Sequence, residues 1–77
     1  MRLSNRIGLT EREDGVVIFT VEPYYMPWHG KFETAVSIDS KPLRIAEEYE
    51  TLEEAMEGHI RFSKMSKEEL INYKYMY

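Results

Sequence analysis

Reaction chemistry in this 77-residue chain would have to be built from two histidines, five serines and a dense run of glutamates. A zinc site wants about four nitrogen, sulfur or oxygen ligands, and the chain has no cysteine. His29, Glu33 and His59 are candidate ligands, but their spacing matches no ligand pattern. The expectation is therefore no metal and no cofactor. His59 reads as a residue at the edge of a helix's buried stripe with its ring hydrogen-bonded, and His29 as a loop residue. Ser66 suits a helix N-cap, Ser40 a turn and Ser37 a strand surface. No nucleophile-elbow pattern surrounds any serine. The four glycines stand singly, so there is no phosphate-cradling loop. Glu47, Glu48, Glu50, Glu53, Glu54 and Glu57 contain no basic residue among them. Carboxylates in a first helical turn favour the helix dipole, so a solvated acidic face is the plain reading. The sharper one is a docking patch for a basic partner around Glu50, Glu53 and Glu57. No residue is read as catalytic, and the chain is not expected to be an enzyme.

Aromatic side chains offer recognition instead. Tyr24, Tyr25, Met26 and Trp28 fall inside the loop of residues 23–30, PYYMPWHG, between two prolines. A braced loop carrying Tyr and Trp has the composition of a binding hot spot. It equally suits a lid over a small core. Tyr73, Tyr75 and Tyr77 near the chain's end could likewise seal the core or pack against a second copy.

These residues need elements to hold them. Glu13-Asp14-Gly15 is a hairpin turn. It leads into VVIFTVE, with Val17, Phe19 and Val21 on one face and Val16 and Ile18 on the other. Apolar residues on both faces predict a central strand. Leu3, Ile7 and Leu9 form its partner before the turn, with Gly8 at a bulge. Phe32, Thr34, Val36 and Ile38 alternate with polar or small residues and predict a half-buried strand. Asp39-Ser40-Lys41-Pro42 is a turn. Leu43, Ile45 and Tyr49 continue on a further strand, with Arg44 and Glu48 opposite. Thr51-Leu52-Glu53-Glu54 is a capping box. The helix it opens has Leu52, Ala55, Met56, His59 and Ile60 at amphipathic spacing. Leu52, Ala55, Met56 and Ile60 are expected to face the sheet, with Glu53, Glu57 and Arg61 in solvent. Gly58 interrupts that helix at a cost of about 1 kcal/mol relative to alanine, which a close approach of helix to sheet would explain. Ser66-Lys67-Glu68-Glu69 is a second capping box and opens a short C-terminal helix bearing Leu70, Tyr73 and Tyr77.

Length limits this to one domain over 1–77 with a thin core: a β-rich part over 1–49 and a helical part over 51–77. The net charge of −4 is uneven. Residues 1–46 balance, whereas 47–77 hold four basic and eight acidic side chains. Sequence-independent nucleic-acid binding needs a basic patch, and none is visible. No apolar run approaches a bilayer span of roughly 20 residues, and the N-terminus reads unlike a signal peptide. The absence of cysteine fits a reducing compartment. The expectation is a cytoplasmic protein that contacts neither membrane nor nucleic acid.

One segment carries a resemblance. Phe32-Glu33-Thr34, followed by Tyr49-Glu50-Thr51-Leu52-Glu53-Glu54-Ala55-Met56-Glu57-Gly58-His59, is similar to a pattern in small uncharacterised proteins of tailed bacteriophages and prophages. In those proteins an F/Y-E-T strand precedes Y-x-T/S-x-x-E-A-x-x-G-H. The resemblance implies a phage-encoded protein, placed in the host cell cytoplasm, and brings no activity or catalytic residue with it.

Strands first and helices last predict an α+β fold, with a small antiparallel sheet of three to four strands, a main helix on one face and a short C-terminal helix. The expected function is protein–protein interaction that modulates a host or defence factor. The bet for the contact surface is Tyr24, Tyr25, Met26 and Trp28, then Glu50, Glu53 and Glu57. The alternative is a virion or assembly accessory that self-associates as a homo-oligomer.

Overall fold

The computed structural model describes residues 5–22 and 31–76. They form an antiparallel sheet of β1 (Asn5–Glu11), β2 (Val16–Glu22), β3 (Phe32–Ile38) and β4 (Arg44–Tyr49), followed by α1 (Leu52–Lys64) and α2 (Lys67–Ile71). Strand order is β1-β2-β3-β4, a meander in which each strand pairs with its neighbours in sequence. Helix α1 lies across all four strands on one face. The fold is α+β, as the order of periodicities predicts. Among the described residues no helix is long and apolar enough to cross a membrane. Tyr24, Tyr25, Met26, Trp28, His29, Leu3 and Tyr77 lie outside the described residues.

The turns follow from their residues. Gly15 N–H donates to the Arg12 carbonyl, and Gly15 takes φ +90°. That is a type I turn closed by a left-handed glycine, the three-residue hairpin loop. Asp39 and Ser40 both have positive φ, and Lys41 N–H closes the turn on Ile38. Pro42 has no N–H to give to a ladder, and β4 begins only at Arg44. Leu43, expected on that strand, precedes it and is exposed.

Strand alternation divides the sheet into two faces. Val16, Ile18, Thr20, Thr34 and Val36 are buried toward α1. β3 and β4 shift register between Thr34 and Ala35, so that Ala46 has no partner in the ladder. This bulge puts Ala46 and Tyr49 into the core, while Ile45 is only half-buried. The expected inward pair of Leu43 and Ile45 is thus replaced. A bulge between Arg6 and Gly8 in β1 agrees with the place expected for it.

The largest departure concerns the phase of α1. Ala55, Gly58 and Phe62 are its buried residues. Leu52, Met56 and Ile60 are 48%, 51% and 54% exposed. Only Ala55 of the expected inward set faces the sheet. Two helical stripes compete here, one larger and more apolar, the other smaller. The smaller wins because Ala55 and Gly58 let the helix backbone settle closely on the strands. Glu53, Glu57 and Arg61 are exposed as expected.

Phe62 and Leu70 complete a dry cluster with Val16, Ile18, Val36 and Ala46. Tyr73 meets Phe62 edge-on at 5.2 Å, and Tyr75 meets Tyr73 likewise. These two tail tyrosines seal this end of the core. Both helices open with complete capping boxes, Thr51 with Glu54 and Ser66 with Glu69. Arg12, beside the first turn, donates to the carbonyls of Ser63 and Met65. It places a cation on the C-terminus of α1, where the helix dipole favours one.

Candidate functional site

Beside the dry cluster, sheet and helix meet through hydroxyls and one imidazole. His59 Nε2 is 2.9 Å from Thr10 Oγ1, and its Nδ1 is 2.7 Å from Thr20 Oγ1. Thr20 Oγ1 is 2.6 Å from Thr34 Oγ1. Tyr49 donates to Thr34 at 3.0 Å, and Ser63 donates to Thr10 at 3.1 Å. Six side chains from all four strands and α1 thereby form one unbroken polar seam.

Two glycines make room for it. A β-carbon at Gly58 would stand 2.1 Å from the Tyr49 hydroxyl oxygen. One at Gly8 would stand 2.9 Å from His59 Nε2. Gly58 therefore marks the close approach expected for it, and its neighbour in that approach is a tyrosine ring.

Thr34 is fully buried and accepts from Tyr49. One arrangement that satisfies every group sends the Thr34 hydrogen to Thr20 and the Thr20 hydrogen to His59 Nδ1, with Nε2–H donating to Thr10. Burial lowers the His59 pKa below its ordinary value, which favours the neutral ring. Burial also pushes the Tyr49 phenol well up, with Glu47 adding in the same direction.

Both His59 ring nitrogens are thus engaged by threonines, as its reading as a hydrogen-bonded ring requires. Among the described residues no three His, Cys, Asp or Glu side chains stand where they could hold a metal ion. No buried side-chain nitrogen or oxygen among them lacks a hydrogen-bond partner.

The surfaces over the two flanks of α1 differ in kind. On the β4 side, Glu47, Glu48, Glu50, Glu54 and Glu57 line an open groove of about 430 Å3 with Arg61. Glu50 pairs with Lys31 at 3.0 Å, Glu47 pairs with Arg61, and Glu54 closes the N-cap. Of the glutamates singled out from sequence, Glu50 and Glu57 line this groove and Glu53 does not. On the β1 side, where Ser63 and His59 reach Thr10, the exposed row is Leu52, Met56 and Ile60. Sequence reasoning missed this row by assigning it to the core. The signal was Gly58, since a glycine kept for close contact must itself face the sheet.

The chain matches no family model, no curated protein and no solved structure in comparisons with each. The segment from Tyr49 to His59 has structural work at most of its positions. Tyr49 and His59 belong to the seam, Thr51 and Glu54 to the cap, Ala55 to the core, and Gly58 to the contact with Tyr49.

Proposed function

We propose that this is a small phage or prophage protein that works without catalysis, by binding another protein in the host cytoplasm and modulating a host or defence factor. The observation that carries the reading is the row of Leu52, Met56 and Ile60, three large apolar side chains each about half exposed along one helix flank. Singly exposed apolar residues are ordinary, whereas a contiguous row on a small domain marks a contact surface. The engagement of every polar group in the seam supports a scaffold role for His59 and Tyr49. The phage origin rests on the sequence resemblance. The aromatic loop with Tyr24, Tyr25, Met26 and Trp28 remains part of the proposed contact surface, and Glu50 and Glu57 offer a second, acidic one.

The test is capture of partners from host lysate by wild-type protein, by Met56→Glu/Ile60→Glu and by Trp28→Ala. Both variants should keep the native circular dichroism. Loss of a specific captured protein in the first variant is expected. Unchanged capture by it would remove the helix row from the proposal. A self-associating virion or assembly accessory is the second reading. It is favoured by β1, an edge strand with no neighbour beyond it among the described residues. Sedimentation velocity over a concentration series separates the two.

A further inference from the structure

A second feature lies at the other end of β4 from the acidic groove. A pocket of about 190 Å3 opens between the β3–β4 hairpin and α2. Val36, Ile38, Leu70 and Ile71 give it an apolar lining. Tyr75 forms one wall and is fixed there by donating to the Leu70 carbonyl at 2.6 Å.

Two cations stand in this lining, Lys41 and Arg44. The Arg44 guanidinium carbon lies 4.4 Å from the centroid of the Tyr75 ring. Stacking holds the plane of the group and leaves its N–H edge to bond elsewhere. Among the described residues neither Lys41 Nζ nor the Arg44 guanidinium has a hydrogen bond or a carboxylate partner. This contrasts with Arg12, Lys31, Arg61 and Lys67, all of which are paired with acids. Asp39, the carboxylate of this hairpin's turn, is already held by Lys67 at 3.0 Å. In a chain of net charge −4, this pocket is lined by two uncommitted cations and no acid.

Its size restricts the occupant. Drug-sized ligands are enclosed by cavities of roughly 300–1,000 Å3, and this one is smaller. It suits one apolar side chain. We infer that the pocket takes the C-terminal residue of a partner polypeptide, its apolar side chain on Ile38 and Ile71 and its free carboxylate on Arg44 and Lys41. Capture of a chain terminus is an established recognition mode, and a carboxylate is the planar acceptor that a guanidinium matches in two bonds. This deepens the protein-binding reading above and rests on it, in that it names which part of a partner is held.

The experiment uses nitrogen-15-labelled protein and three probes: a short Gly-Ser peptide ending in leucine with a free carboxylate, the same peptide amidated, and 4-methylpentanoate. The free acid peptide should shift the amide signals of Ile38, Lys41, Arg44 and Ile71 saturably. The amidated peptide should bind about tenfold more weakly or worse, a difference of about 1.4 kcal/mol. In Lys41→Gln/Arg44→Gln, two exposed positions, the acid and amide peptides should become equal. Equal binding to wild type by acid and amide, or no saturable shift, overturns the inference. So does 4-methylpentanoate binding as tightly as the peptide, which would make this a small-acid site. The titration reads the pocket directly, so it can succeed when lysate capture fails, and fail when capture succeeds.

Discussion

The contact between α1 and the sheet has two halves built on different physics. Toward the turns, Val16, Ile18, Val36, Ala46, Phe62 and Leu70 form a dry cluster. Toward the other end, Thr10, Thr20, Thr34, Tyr49, His59 and Ser63 form a chain of hydrogen bonds. The dry half is non-directional: it stabilises whichever arrangement removes apolar area from water. The polar half is directional, and an unmet group there carries the full cost of desolvation. A helix sliding along the sheet by one residue would lose little in the first half and every bond in the second. The lesson is that a thin core gains depth from apolar burial and a single register from polar pairing.

That contrast can be broken from either side. The largest effect should come from the dry half. Phe62 is fully buried, and Phe62→Ala should cost about 3–5 kcal/mol in urea unfolding. A loss under 1 kcal/mol would show that the tail tyrosines collapse into the space and that the cluster is loosely packed.

Gly58→Ala comes next and tests the polar half. At an exposed helix site this change gains about 1 kcal/mol. Here the added methyl meets the Tyr49 ring, and overpacking of this kind should instead cost about 1–3 kcal/mol. A stabilised variant would mean that Tyr49 can leave the seam freely.

A smaller, pH-dependent effect belongs to His59. Its folded-state pKa is lowered by burial, so below about pH 6.5 the unfolded chain takes up a proton that the folded chain resists. The corresponding stability is complete above that pH and declines as pH falls toward the lower folded-state value. His59→Gln should flatten this part of a stability profile. An identical slope in the variant would assign the titration to other groups.

The smallest effect is expected at Met56, half exposed beside the seam. Met56→Ala should change stability by no more than about 0.5 kcal/mol. A loss of 2 kcal/mol or more would restore the helix phase that apolar spacing alone suggests.

That phase is also where sequence and structure part. The caps were legible because each is local: Thr51 with Glu54, and Ser66 with Glu69, specify their own geometry within four residues. The strands were legible because alternation at period two is local as well. The buried stripe of α1 was not, because it depends on what lies beneath. Leu52, Met56 and Ile60 outweigh Ala55 and Gly58 in apolar area, yet a seam of threonines and a tyrosine accepts only small residues above it. Gly58 already held that information at the level of sequence. The bulge that turns Ala46 inward gave no comparable sign, since it is defined by pairing with β3. The seam as a site was half legible. His59 announced a hydrogen-bonded ring, but no spacing in one dimension joins Thr10, Thr20 and Thr34. The pocket at Lys41 and Arg44 left no mark in the sequence, since its walls come from a hairpin and from a helix some thirty residues later.

The meander order has a kinetic consequence. Every strand pairing joins sequence neighbours, so the sheet can zip through short loop closures, each cheap in chain entropy. The contacts of α1 with β1 and β2 are the ones that span a long stretch of chain, and their partners at the seam must arrive in register. Such topology favours fast collapse of the hairpins, with docking of α1 as the late, rate-setting event. Gly58→Ala should then mainly slow folding, and acceleration of unfolding alone would place docking after the barrier. Stopped-flow chevrons on that one variant would place the seam in the order of assembly.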